Sequence, residues 1–198
     1  ALQRRVEQQR VAMLYGNTAA ISGSAMLMAI LMVIIAWPQV SATRIVVWCC
    51  AVLLVQAAAQ WVALLHRHAD NAESDPRLWG IRLAMVAGVA GVVWGSSVFL
   101  LVNVNQPLTL ALISACLASR TTISIMTHAY FPPALNAFAV PIFGMLAVRY
   151  VLDGGYSNAA LGVLWIAVLG YVLLFVDRQA RAVATQIRLR CENEQLVD

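Results

Sequence analysis

Six long apolar stretches, separated by short polar connections, restrict the fold of this 198-residue sequence more than any other feature. About 20 apolar residues are needed to cross a bilayer as a helix. Because hydrocarbon offers no partners for backbone N–H and C=O groups, spanning segments must be helices or strands of a closed barrel. The apolar residues run continuously instead of alternating, which favours helices. The predicted spans are residues 19–37, 45–65, 79–102, 108–126, 135–152 and 159–176.

The composition also indicates a membrane protein. Hydrophobic residues make up 62% of the chain and charged residues 11%, whereas a soluble domain is close to half apolar and a quarter charged. The net charge of +4 comes from arginines that flank the apolar stretches, so it indicates membrane orientation and not nucleic-acid binding. The four cysteines show no metal-ligand spacing, so the sequence predicts no metal and no cofactor.

The arginines are distributed unevenly between the two sides of the predicted bundle. If the N-terminus is cytoplasmic, Arg44 and Arg149 lie outside and the remaining 11 of the 13 basic residues lie inside. This asymmetry is typical of cytoplasmic flanks. We therefore predict an all-α polytopic helix bundle with six transmembrane helices and both termini in the cytoplasm. Arg149 precedes Asp153 by four residues, which predicts an ion pair on one helix face.

The sixth span is predicted to continue as a helix well beyond the membrane. Neither glycine nor proline occurs after residue 174, so about 20 residues, or roughly 30 Å, extend into the cytoplasm. Ala182, Leu189 and Leu196 recur every seven residues, which is typical of a dimeric coiled coil. An amphipathic helix on the membrane surface is the alternative. Asp177, Ile187, Leu189 and Leu196 are therefore candidates for signal transmission.

The chain is accordingly divided into three parts. Residues 1–18 are predicted to form a cytoplasmic amphipathic helix, residues 19–176 a six-helix transmembrane domain, and residues 177–198 a cytoplasmic signalling helix. The connections between spans are too short to hold a folded domain outside the membrane. Any ligand should therefore bind within or at the membrane.

Arg120 is the strongest single candidate for ligand binding. It lies about 12 residues, or roughly 18 Å, from the outer start of the fourth span. An arginine at this depth costs at least a few kcal/mol unless it is paired or reaches water. Arg120 is either an anchor for an anionic head group, such as a fatty-acid carboxylate, or a side chain that snorkels to the inner interface.

Polar and aromatic residues within the spans extend this candidate site. An indole in mid-span, such as that of Trp94, needs a partner for its N–H and is suited to a pocket wall. Polar side chains in spans either line a cavity or form hydrogen bonds between helices. The candidate ligand-binding residues are Arg120, Trp94, Asn136, Gln56, Gln60, Thr121 and Ser97.

Prolines and glycines predict where the bundle bends and packs. Pro132, Pro133 and Pro141 are expected to interrupt the fifth helix, and a bend at Pro141 would border the cavity and take part in signal transmission. Gly91 and Gly95 belong to a series of small residues at near-four spacing. This series predicts that the third span packs centrally.

Three stretches resemble the N-terminal membrane sensor region of proteobacterial sensor histidine kinases, often hybrid, and of diguanylate cyclases. They are "LLHRHADNAESDPRLWGIRLAMVAGVAGVVWGSSVFLL", "YFPPALNAFAVPIFGMLAVRYVLDGG" and "RLRCENEQLVD". The shared order is a short cytoplasmic loop, an alanine- and glycine-rich helix with a Trp-Gly pair, a helix with a Phe-x-x-Pro break, and a charged signalling helix. The stretch "ASRTTISIMTHAY" departs from this pattern, because the corresponding helix of the family is usually small and apolar there.

The resemblance implies a sensor region in the bacterial inner membrane, with a kinase as output domain after Asp198. A small lipophilic, fatty-acid-like signal, as in quorum sensing, would bind within the bundle. The sixth helix would then act on the cytoplasmic kinase in a homodimer. A cyclase sensor, a transporter or channel component, and a passive scaffold are the alternatives. The sequence contains no constellation typical of an enzyme active site, and the expected partners are the lipid bilayer, the signal molecule and a second copy, without nucleic acid.

Overall fold

The computed structural model describes residues 18–68, 76–104, 106–128 and 131–197, and every regular element in these ranges is helical. The all-α class predicted from the apolar stretches is thereby confirmed for the described residues. The predicted N-terminal helix lies almost entirely outside them. The helices are α1 (Thr18–Ala36), α2 (Ala42–His68), α3 (Pro76–Gly95), α4 (Ser97–Leu100), α5 (Pro107–His128), α6 (Pro132–Asp153) and α7 (Tyr156–Val197).

Several of these helices have the length and composition of membrane spans. Large apolar side chains face outward, and Leu54 and Leu108 are 71% and 73% exposed. An apolar surface of this extent is suited to lipid rather than water. The fold is therefore that of a multi-pass membrane protein, whereas the total of six spans and the cytoplasmic termini stay predictions. A shorter apolar segment, Ser22–Ala36, accompanies five spanning segments: Ala42–His66, Leu78–Leu100, Pro107–Ile125, Pro132–Asp153 and Tyr156–Ala182.

The third predicted span contains a turn that the sequence did not predict. The helix pauses at Ser96, between α3 and α4. The Ser96 hydroxyl donates to the carbonyl of Val93 at 2.8 Å, while its backbone N–H still donates to the carbonyl of Val92 at 2.8 Å. A serine side chain that bonds its own backbone competes with the regular helical pattern. Because the N–H bond is kept, α3 and α4 remain one membrane-length segment.

The interface between α3 and α6 is the largest between any two described helices. A Cβ atom at Gly91 would collide with the backbone carbonyl of Phe138. A Cβ atom at Gly95 would lie 2.9 Å from Sδ of Met145 and 3.1 Å from the carbonyl oxygen of Pro141. Small residues allow two helix backbones to approach this closely. Helix α3 also packs against α2; the close packing predicted from its small residues is confirmed at α6, whereas its central position in the bundle stays a prediction.

The prolines of α6 play different roles from those predicted. Pro132 and Pro133 occupy the first positions of the helix instead of interrupting it, because an N-terminal residue has no intrahelical N–H bond to lose. The helix accordingly begins before the predicted Leu135. Pro141 does lie inside the helix, where it deprives the carbonyl of Ala137 of its intrahelical donor. The predicted bend at Pro141 stays a prediction.

Helix α7 is continuous for 42 residues, a length of about 63 Å. It begins after Gly154 and Gly155, whose φ angles of 73° and 81° lie in the region that favours glycine. It passes Asp177 without a break, and the exposed backbone carbonyl there accepts a bond from Nε of Arg181 at 3.2 Å. The coiled coil stays a prediction, since the side chains outside the described set include those of Ile187, Leu189 and Leu196.

The principal neighbour of α7 is α6. A Cβ atom at Gly162 would lie 3.1 Å from the carbonyl oxygen of Ala147. The rings of Phe143 and Trp165 are stacked, with centroids 5.7 Å apart and an interplanar angle of 25°. Val176 continues the buried face of α7 to the last turns of the predicted span. Helices α6 and α7 are therefore closely packed.

Asn103 is the hub of a polar cluster at one end of the bundle. Its Nδ2 donates to the carbonyl of Gln39, and its Oδ1 accepts a long bond from Nη1 of Arg44 at 3.4 Å. The hydroxyl of Thr109 donates to Oε1 of Gln39 at 2.5 Å. The cluster thus joins the connection between α1 and α2 to the connection between α4 and α5.

Arg149 adds α6 to the same cluster. Its Nη2 donates to the carbonyl of Asn103 at 3.3 Å and lies 3.2 Å from Oδ1 of Asp153. The predicted Arg149–Asp153 ion pair is thereby confirmed. The guanidinium carbon also lies 6.0 Å from the centroid of the Phe99 ring. Arg149 is therefore a structural cation, held by a carboxylate and a carbonyl.

We expect Asn103→Ala to lower the free energy of unfolding by about 1–3 kcal/mol, because the carbonyl of Gln39 and the guanidinium of Arg44 both lose a partner. Unfolding midpoints in mild detergent measure the change. Asn158→Ala is the matched control, since Asn158 makes only an exposed bond to the nearby carbonyl of Gly154; we expect a change within about 0.5 kcal/mol. Equal midpoints for the two variants would contradict the role assigned to Asn103.

Candidate functional site: a buried arginine in the helix bundle

Helix α5 directs a row of polar side chains into the bundle. Ser114, Thr121 and Ser124 are each at most 2% exposed. Their hydroxyls donate to the carbonyls four residues earlier, at 2.7, 2.9 and 3.0 Å. This back-bonding is the usual way in which a helix accommodates hydroxyls in an apolar setting. The polar face of α5 is therefore compatible with a spanning helix, and Arg120 lies on it.

The guanidinium of Arg120 is enclosed by the protein. The residue is 3% exposed, and Nη1 donates to the hydroxyl of Ser124 at 2.6 Å. Its Cζ lies 5.3 Å from the ring centroid of Phe138 and 5.6 Å from that of Trp94, distances at which a cation is attracted to an aromatic ring. The side chain is packed inside the bundle, and the choice between a ligand anchor and a snorkelling arginine stays a prediction.

Arg120 lacks a counter-charge among the described residues. Among the described residues the ion pair is that of Arg149 with Asp153, and it does not involve Arg120. Nε of Arg120 is buried without a hydrogen-bond partner. Taking an ion out of water costs several kcal/mol even after the protein relaxes. One hydrogen bond and two rings offset only part of that cost. The described residues therefore leave the charge of Arg120 incompletely compensated.

The aromatic walls of the site are held in place by their own contacts. Trp94 is 1% exposed and meets Trp48 edge-on, with ring centroids 5.6 Å apart. Nε1 of Trp48 donates to the carbonyl of Val93 at 3.0 Å. Phe138 is fixed by the close approach of its backbone to Gly91. The rings that face Arg120 are thus positioned by three different helices.

The other predicted site residues are not bonded to Arg120. Gln60 donates to the hydroxyl of Ser22 at 2.5 Å, so it joins α2 to α1. Thr121 bonds the carbonyl of Leu117 within its own helix. The structure brings together two members of the predicted set, Arg120 and Trp94.

Three further predicted residues carry buried polar atoms without a hydrogen-bond partner. These atoms are Nε2 of Gln56, Oγ of Ser97 and Oδ1 of Asn136. Most buried polar atoms in proteins are paired, and an exception calls for an explanation such as a bound water or ligand. The unpaired atoms therefore mark places in α2, α4 and α6 where a polar group can be accommodated.

Two residues that contact Arg120, Ser124 and Phe138, were not among the predicted ligand-binding residues. Ser124 was recognisable, because a residue four positions after Arg120 lies on the same helix face. Phe138 was not, since its contact with Arg120 depends on how α6 packs against α3 and α5. The glycine series predicted close packing of α3 but not the partner residue.

Apolar grooves lie on the described surface of the bundle, and two of them are large enough to hold part of a lipid chain. One of about 310 Å³ lies between α1 and α2 and is lined by residues such as Met26 and Leu53. The other, of about 640 Å³, lies between α3 and α6 beside Met85 and Phe131. Arg120 lines neither groove. Both are suited to acyl chains of lipids.

In the described ranges, no group of three or more histidine, cysteine or acidic side chains is clustered. His66 contacts the ring of Trp79, with centroids 5.1 Å apart. Cys49, Cys50 and Cys116 are free thiols.

Fold and site together define a multi-pass helical membrane protein with a buried arginine that has no counter-ion among the described residues. Comparison with known protein families, with curated proteins and with solved structures identifies no similar protein.

Proposed function

We propose that this chain is the membrane-embedded sensor domain of a bacterial two-component histidine kinase. It binds a small lipophilic, fatty-acid-like signal at Arg120 and acts on the kinase through α7. The observation that carries the proposal is the buried guanidinium of Arg120, which has no described counter-ion. The resemblance of the motifs around Trp94, of α6 and of the charged C-terminal helix to membrane sensors of histidine kinases supports the kinase output.

An anionic head group would relieve the main unfavourable feature of the site. A charge-assisted hydrogen bond is about twice as strong as a neutral one. Arg120 is 3% exposed, so an ion pair formed there is only weakly screened. A lipophilic anion could approach from the bilayer, whereas a water-soluble anion would have to leave water first.

Signal transmission follows from the way α6 connects the site to α7. Phe138 contacts Arg120, and Phe143, one and a half turns further along α6, stacks on Trp165 of α7. Pro141 lies between the two aromatic residues and weakens the helix locally. A ligand shifts such an equilibrium only if it binds one packing of α6 more tightly than another. Helix α7 then carries the change past Asp177 toward the output domain.

The test uses the full-length protein in lipid nanodiscs with dodecanoate as the probe. We expect dodecanoate to change the rate of histidine autophosphorylation several-fold, whereas methyl dodecanoate and dodecylamine, which lack the negative charge, leave it unchanged. The Arg120→Met variant should not respond to dodecanoate.

Two outcomes would contradict the proposal. Equal responses to dodecanoate and its methyl ester would show that the negative charge of the ligand is not recognised. Synthesis of cyclic diguanylate, or dodecanoate flux into liposomes without a kinase response, would favour the cyclase or transporter alternatives.

A further inference from the structure

The three nitrogens of the Arg120 guanidinium differ in their surroundings. Nη1 is bonded to the hydroxyl of Ser124 at 2.6 Å. Nε is buried and has no partner, and no described residue accepts a hydrogen bond from Nη2. Nε and Nη2, which make no hydrogen bond to a described residue, belong to the same edge of the planar group. Two parallel N–H donors on one edge match the two oxygens of a carboxylate.

Ser124 determines which edge is left open. Its hydroxyl accepts from Nη1 of Arg120 and donates to the carbonyl of the same residue at 3.0 Å. Both roles are used within one helical turn, so the hydroxyl is held against rotation. This closed arrangement fixes the guanidinium on the side of Ser124 and turns the Nε–Nη2 edge away from it.

The aromatic neighbours restrict the shape of an anion that can reach this edge. The rings of Phe138 and Trp94 lie 5.3 and 5.6 Å from Cζ, so they occupy space around the guanidinium. A planar carboxylate can satisfy both oxygens with the two edge donors. A phosphate monoester carries further oxygens and a larger charge, for which the described residues around Arg120 supply no second cation. An alcohol would leave the guanidinium without a counter-charge.

We propose, on the basis of the function proposed above, that the head group recognised by this site is a carboxylate bound side-on by Nε and Nη2 of Arg120. Ser124 is the positioning residue that keeps this edge available. The site thereby selects lipophilic carboxylates over phosphates and alcohols of the same chain length.

Equilibrium binding of radiolabelled probes to the full-length protein in nanodiscs tests this proposal. The probes are dodecanoate, dodecyl phosphate and dodecanol. We expect dodecanoate to bind about 10-fold more tightly than dodecyl phosphate. Ser124→Ala should reduce the affinity for dodecanoate about 10-fold, because the guanidinium can then rotate. The difference between the affinities for dodecanoate and dodecyl phosphate should also become smaller. Ser124→Thr keeps the hydroxyl and should restore both the affinity and the preference.

Thr122→Ala is the matched control. Thr122 lies on the same helix and bonds the carbonyl of Ala118 at 3.0 Å, but it is exposed. Its replacement should leave the affinity and the preference unchanged. Unfolding midpoints of all variants separate binding from folding, and the ratio of the two anion affinities is a measurement that mere destabilisation would not shift.

The outcomes separate this inference from the proposed function. If dodecyl phosphate bound as tightly as dodecanoate and its binding still required Arg120, carboxylate selection would be overturned. The proposed function would then stand as that of a receptor for lipophilic anions in general. An unchanged preference in Ser124→Ala would overturn the positioning role. Binding that is the same in Arg120→Met would overturn the proposed function itself.

Discussion

Replacing Gly91 with alanine is expected to lower the free energy of unfolding by about 2–4 kcal/mol, because overpacking a tight interface forces the backbone to move. The added methyl group would collide with the backbone carbonyl of Phe138, and a carbonyl has no alternative rotamer. The interface affected is the one between α3 and α6, the largest described in the bundle. Chemical denaturation in detergent micelles measures the loss as a shift of the unfolding midpoint.

Gly144→Ala provides the control for Gly91→Ala. Gly144 also lies within a helix, and a Cβ atom there would meet nothing within 4 Å. Alanine in a helix is more favourable than glycine by about 0.5–1 kcal/mol, so this variant should be as stable as the original protein or slightly more stable. If Gly91→Ala unfolded at the same midpoint as Gly144→Ala, the close approach of α3 and α6 would be refuted. Because Phe138 is a wall of the arginine site, the same displacement should weaken dodecanoate binding.

Arg120→Met is expected to abolish the response to dodecanoate while leaving the protein at least as stable as before. Removal of a buried charge that has no counter-ion among the described residues eliminates its desolvation penalty, and replacement of buried ionic groups by apolar ones is often neutral or stabilising by about 1–4 kcal/mol. Ser124 keeps its bond to the carbonyl of residue 120. Loss of the ion pair with the ligand should lower its affinity by at least about 10-fold. Denaturation midpoints and dodecanoate binding together measure the two effects.

The matched substitution Arg149→Met should behave in the opposite way. Arg149 is paired with Asp153, whose side chain is 17% exposed, and it also donates to the carbonyl of Asn103. Its removal leaves a largely buried carboxylate without its partner, which destabilises a protein by roughly 3–5 kcal/mol when burial is complete and by less here. Dodecanoate binding by the folded fraction should be retained. If Arg120→Met were the variant that failed to fold, Arg120 would be a structural cation and its functional role would fall.

The sequence predicted those features that depend on neighbours along the chain. The spans follow from apolar length, and the Arg149–Asp153 pair from i, i+4 spacing. The unbroken course of α7 through Asp177 follows from the absence of glycine and proline after residue 174. Arg120 was identifiable because a charge in an apolar stretch is rare and costly.

The features that escaped prediction depend on contacts between distant segments. Phe138 lies beside Arg120 of α5 and also approaches Gly91 of α3, so its place in the site depends on how three helices pack together. The polar cluster around Asn103 joins residues up to 70 positions apart, such as Gln39 and Thr109, and no local pattern specifies such a pairing. At the turn, the Ser96 hydroxyl donates to the carbonyl of Val93. Serine side chains form such bonds in some helices and not in others.

Photoaffinity labelling tests most directly whether the buried arginine holds the head group of a lipophilic carboxylate. The probe is a dodecanoate analogue with a diazirine close to its carboxylate, applied to the full-length protein in nanodiscs and mapped by mass spectrometry. We predict insertion into peptides that contain Trp94, Ser124 or Phe138, and its loss in Arg120→Met. Insertion confined to the groove between α1 and α2 or to the cluster around Arg149, or labelling that persists in Arg120→Met, would contradict this account.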